Sequence, residues 1–94
     1  MKVPPSDVTA LNPVVGGDIE FNFTDNPDWR SKVTGIFGNH DSNRHGFATP
    51  DFIISTPGAL SIDSYFTVYL YTGVYTITIE ATGYEDKVLM VTVQ

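Results

Sequence analysis

The chain has no cysteine, few charges and no long apolar run. Its 94 residues include no Cys, so neither a disulfide framework nor a thiolate metal site can form. Charged residues make up only 17%, against roughly 25% in an average globular protein. Basic residues are scarcest: five Lys and Arg face eleven Asp and Glu, giving a net charge of −6. Binding to a nucleic-acid backbone needs clustered Lys and Arg, so that partner class is excluded. Attraction to an anionic membrane surface is disfavoured for the same reason. No apolar stretch approaches the roughly 18 residues of a membrane span. The opening Met1-Lys-Val-Pro-Pro-Ser-Asp-Val8 lacks the apolar centre of a secretion signal.

What the chain does have is apolar residues at 41%, rich in Val, Ile, Phe and Tyr, together with many Thr. This composition reads as a folded β protein rather than a disordered one. Its length suits one domain with a modest core. Pro4 and Pro5 make residues 1–7 an extended lead-in, and residues 8–94 a single module. The compact size leads us to expect one module of a multidomain protein.

Val8 to Leu11 reads as a short first strand. Asp18 to Thr24 alternates, with Ile19, Phe21 and Phe23 on one face. Asp25-Asn26-Pro27-Asp28-Trp29 opens a short helix: Asp25 or Asn26 can cap it, and Pro27 suits its first position. Val33 to Phe37, Phe52 to Ser55 and Leu60 to Ile62 read as strands. So does Tyr65 to Tyr71, with Phe66, Val68 and Leu70 inward and Tyr65, Tyr69 and Tyr71 in an outward row. Thr72-Gly73 is read as a tight turn, Val74 to Thr82 as a strand, and Lys87 to Val93 as the last one. In the former, Tyr75, Ile77, Ile79 and Ala81 share the inner face. About seven short strands with one helix near Trp29 predict an all-β, immunoglobulin-like β-sandwich.

Tyr75-Thr-Ile-Thr-Ile-Glu-Ala-Thr-Gly-Tyr-Glu-Asp86, with the strand Lys87 to Val93 after it, resembles the end of the hemoglobin-interacting domain family. Asp18 to Phe23 matches that family's early strand, Asp28-Trp29 its acidic-Trp element, and Leu60 to Phe66 the segment before its last hairpin. The resemblance spans most of residues 8–94 and is most specific in the last twenty. It implies a small β-sandwich module of Gram-positive surface or secreted proteins, extracellular, with hemoglobin as partner. The departure falls at residues 38–50, where a shorter turn is expected. Within the signature, Tyr75 is expected to send its hydroxyl to a backbone carbonyl, Gly83 to supply a positive-φ turn, and Trp29 to plug one end of the sandwich.

The candidate site residues form two groups. Gly38-Asn-His-Asp-Ser-Asn-Arg-His-Gly46 holds both histidines, and Arg30, Lys32 and Arg44 are three of the five basic residues. Were the Trp29 helix and this loop to adjoin, Arg30, His40, Arg44 and His45 would form a basic patch on an acidic body, suited to an acidic partner surface. The competing reading is a scattered, solvated surface. His40, Asp41 and His45 are metal-capable types, but no fourth ligand is indicated, and Asp25, Asp28 and Asp41 lack the spacing of a calcium loop. No metal or cofactor is therefore assigned. Tyr65, Tyr69 and Tyr71 form the second group, suited to stacking on a sugar or contacting a protein. The spacing Tyr65-x-x-x-Tyr69 resembles a haem-ligating pair of another Ig-like iron-uptake family. The alternative is a strand buried on both faces. No nucleophile elbow, phosphate loop or carboxylate pair is present, so the chain reads as a binding module and not an enzyme. The partners left open are an extracellular protein, a polysaccharide or, for a spacer, the neighbouring domains.

Overall fold

The computed structural model describes residues 1–11, 13–40, 46–48, 53–68 and 70–94, with backbone alone for 46–48 and 66. The element order is β1 (Thr9–Leu11), β2 (Ile19–Asn22), α1 (Pro27–Lys32), β3 (Val33–His40), β4 (Gly46–Ala48), β5 (Ile53–Thr56), β6 (Ala59–Ile62), α2 (Ser64–Thr67), β7 (Gly73–Ala81) and β8 (Lys87–Val93). These form two antiparallel four-stranded sheets, ordered β1-β2-β6-β5 and β4-β3-β7-β8. In chain order this is the A-B-E-D and C′-C-F-G arrangement of an immunoglobulin-type sandwich. The expected all-β sandwich is present, with β4 as an additional strand and α2 as a second short helix.

Period-2 alternation builds the core. Ile19 and Phe21 of β2, Leu60 and Ile62 of β6, Tyr75, Ile77 and Ile79 of β7, and Val91 and Val93 of β8 are all buried between the sheets. The threonines between them on β7 are only half-buried. Trp29 is fully buried against Phe23, their rings 5.0 Å apart and nearly perpendicular. It plugs its end of the sandwich as its position next to a helix start suggests. Asn26 is the cap, accepting from Trp29 N–H at 3.1 Å, and Pro27 opens the helix.

Two local expectations are corrected. First, the strand Tyr65 to Tyr71 is absent, and Ser64–Thr67 is a helical turn instead. Two carboxylates decide this: Asp18 accepts from Ser64 N–H at 2.6 Å, and Asp63 from Tyr65 N–H at 2.8 Å. They satisfy donors that a short helix leaves open. Thr67 is the buried residue here, its hydroxyl donating to the Gly17 carbonyl at 2.7 Å. Val68 is exposed, not inward. Second, Gly38, Asn39 and His40 belong to strand β3, which pairs with β7 as far as His40 opposite Tyr75. The loop Gly38 to Gly46 is therefore partly hairpin, with Asn39 opposite Gly46. The Tyr75 hydroxyl, for its part, accepts from Tyr71 N–H at 3.0 Å. A tyrosine near the start of the sixth core strand, tied to backbone a few residues upstream, is the immunoglobulin tyrosine corner.

Candidate partner-binding site

The two ends of the sandwich differ in chemistry. At one end lie α1, the start of β3 and the turn after β7, where Thr82 N–H donates to the Lys32 carbonyl at 2.9 Å. At the other lie the end of β3, α2, the corner leading into β7, the turn at residues 13–17 and the end of β8. β3 runs the whole length between them, eight residues or roughly 26 Å. Arg30 and His40 are therefore at opposite ends, whereas Arg44 and His45 of the basic-patch reading lie outside the described residues.

Arg30 is engaged at its own end. Its guanidinium donates to Asp25 at 2.9 and 3.4 Å. Arg30 and a bond from Gly58 N–H hold the Asp25 carboxyl below its usual range. Neighbouring Asp28 accepts from Lys32 Nζ at 2.7 Å, the Tyr84 hydroxyl at 2.6 Å and Lys2 Nζ at 3.3 Å. These three donors, Lys32 foremost, hold its carboxyl far below the ordinary range, and Asp28 in turn raises the Tyr84 phenol. This cluster was not singled out from sequence. The signal available was the coexistence of Asp28-Trp29 and Gly83-Tyr84.

At the opposite end His40 is a strut. Its Nε2 lies 2.8 Å from the Thr72 carbonyl, and its ring meets the Tyr75 ring edge-on at 5.0 Å. Gly73 has φ +123°, and a Cβ there would come within 2.7 Å of His40 Nε2. The corner thus needs glycine both for its backbone angle and for the imidazole beside it. Arg44, His45 and Tyr69 lie outside the described residues, as does Asp41 of the metal reading. Among the described residues no group of three or more His, Asp or Glu is placed to hold an ion.

Among the described residues, the exposed apolar side chains of this end include Tyr65 (71% exposed), Tyr71 (53%), Val68, Val14 and Val15. Thr67 anchors α2 to the turn at Gly17, and Val15 N–H donates to the Gln94 carbonyl at 2.9 Å, so these groups sit on fixed backbone. Tyrosines on a rigid platform lose little entropy on contact and suit protein recognition. Tyr65 is open to solvent on its helical turn, and Tyr69, its partner in the haem reading, lies outside the described residues.

The fold is a small two-sheet module in which the exposed aromatics, among the described residues, lie at one end. The chain matches the family model described as "Heme-binding protein Shr-like, Hb-interacting domain" over residues 6–94, and it belongs to that family. No curated protein sequence matches it. Among the described residues no helix is long and apolar enough to cross a membrane.

Proposed function

We propose that this chain is a non-catalytic, extracellular binding module of a multidomain bacterial surface or secreted protein, and that its partner is a host protein of the hemoglobin type. The family match over residues 6–94 carries this reading. The end bearing Tyr65 and Tyr71 is the proposed contact surface, because it pairs exposed aromatic groups with anchored backbone. Arg44, His45 and Tyr69 belong to the proposal as neighbours in sequence of His40, Val68 and Leu70. Arg30 takes a scaffold role in it, since Asp25 holds it at the far end.

Titration of hemoglobin into the chain tests the reading. Saturable heat or a mobility shift supports it, and no response up to high micromolar hemoglobin would sink it. A second reading, stacking of Tyr65 and Tyr71 on a polysaccharide, draws on the same exposure. Co-sedimentation with insoluble polysaccharide, lost on Tyr71→Ala, would favour it. Inertness in both assays would favour a spacer domain.

A further inference from the structure

The N-terminal segment runs parallel to β8, and its backbone is bonded to the chain on either side of that strand. Lys2 N–H donates to the Gly83 carbonyl at 3.1 Å, and Glu85 N–H to the Lys2 carbonyl at 2.9 Å, a parallel bridge just before β8. Just after β8, Gln94 N–H donates to the Pro13 carbonyl at 2.8 Å, and Val15 N–H to the Gln94 carbonyl at 2.9 Å. Between these points Thr9, Ala10 and Leu11 turn away to pair with β2 in the other sheet. Residues 86–93, about 26 Å of strand edge, are left open, because among the described residues β8 pairs only with β7.

Gln94 aims both its N–H and its C=O at this segment. Alternation along an antiparallel strand gives Thr92, Met90 and Val88 the same direction, so their N–H and C=O groups face outward with no ladder partner. Val88 to Val93 carries no charge and no proline, which are common defences of an exposed edge. Val88 (56%) and Met90 (64%) are exposed beside it. Such an edge is complementary to itself. Two copies of β8 set antiparallel about Met90 place Met90 opposite Met90 and Val88 opposite Thr92, each pair exchanging two main-chain bonds. Glu85 and Asp86 then lie at opposite ends of the ladder, whereas parallel pairing would set like charges side by side.

That register meets one obstacle. Asp86 of one copy falls opposite Gln94 of the other, and paired strands lie about 4.8 Å apart. Pro13 and Val15 of the same chain already fill that place beside Gln94. We propose that the turn at Pro13–Val15 is a latch. Closed, it keeps the β8 edge from joining β8 of a second copy; open, it frees that edge for an antiparallel dimer centred on Met90. The latch is built to move separately from the core: two main-chain bonds hold it to Gln94, and the Val14 and Val15 side chains are exposed. The proposal rests on the fold alone, not on hemoglobin as partner.

The test is sedimentation of the intact chain beside Val15→Pro/Gln94→Pro, which lacks both latch donors. A ladder this short belongs with the small, transient interfaces, so concentrations run from micromolar to millimolar. The unaltered chain is expected to stay monomeric. The variant is expected to dimerise at least about tenfold more tightly, because two main-chain bonds no longer hold the closed form. Gln94 lies outside the Val88–Thr92 ladder, so proline there takes no bond from the dimer. The amides of Val88, Met90 and Thr92 should exchange fast in the monomer and slowly in the dimer. Adding Met90→Arg, which sets like charges opposite each other at the centre of the ladder, should restore the monomer. A folded variant that stays monomeric, a dimer that leaves those amides unprotected, or one that survives Met90→Arg would overturn the proposal. So would an unaltered chain that already dimerises through them. Should the double variant fail to fold, Gln94→Pro alone, which changes only the residue after β8, carries the same expected and overturning results.

Discussion

The Tyr84 hydroxyl donates to Asp28 at 2.6 Å, joining the short helix to the turn after β7 across 56 residues of chain. Lys2 completes the junction, its ammonium 5.6 Å from the Tyr84 ring and 3.3 Å from Asp28. Two motifs far apart in sequence thus act as one clamp at the Trp29 end. Removing the hydroxyl with Tyr84→Phe is expected to lower Tm without changing the strand content seen by circular dichroism. An unchanged Tm would count against the clamp.

The clamp sets a pH dependence. Asp28 has a depressed folded-state pKa, so its contribution is present above its unfolded value of 3.8 and is lost as pH falls through the folded value. Tyr84 is raised above 10.0, so its contribution is present below that value and is lost as pH rises through the folded one. Urea unfolding from pH 7 down to pH 2 should therefore show a loss of stability that Asp28→Asn makes shallower. Identical profiles for both proteins would contradict the assignment.

Trp29 is the largest side chain with no exposure, packed edge-to-face on Phe23. Trp29→Ala should cost about 3–5 kcal/mol in chemical unfolding. Trp29→Phe should cost less, because it keeps an aromatic ring against Phe23 and forfeits only an indole N–H that has no partner among the described residues.

At the opposite end, Gly73→Ala meets both a positive φ and the His40 imidazole. It should destabilise by about 1–3 kcal/mol. Because the contact is with His40 Nε2, His40→Ala removes part of that cost. The double variant should be more stable than the sum of the single effects predicts. Simple additivity would mean that His40 does not buttress this corner. Tyr75→Phe, which loses the acceptor for Tyr71 N–H, should cost about 1 kcal/mol.

Period-2 alternation was enough to read β2, β7 and the core they share, and Asn26-Pro27 marked the helix start. Tyr65 to Tyr71 misled for a physical reason. Phe66, Val68 and Leu70 alternate as a strand would, yet the Asp18 carboxylate, 46 positions from Ser64, helps to cap a helical turn there. No local pattern carries that information. β4 was missed because Gly46-Phe-Ala48 is too short to show a period. The candidate site was partly legible: Tyr65 and Tyr71 are exposed, whereas Arg30 and His40 hold structural contacts at opposite ends.

The measurement closest to the central claim is hemoglobin affinity of the intact chain beside Tyr65→Ala, Tyr71→Ala and Arg30→Ala. Each tyrosine variant should weaken binding about tenfold, as truncating an interface anchor does. Arg30→Ala should leave it unchanged. Undiminished binding in both tyrosine variants, or loss in Arg30→Ala alone, would contradict recognition through the tyrosine-bearing end.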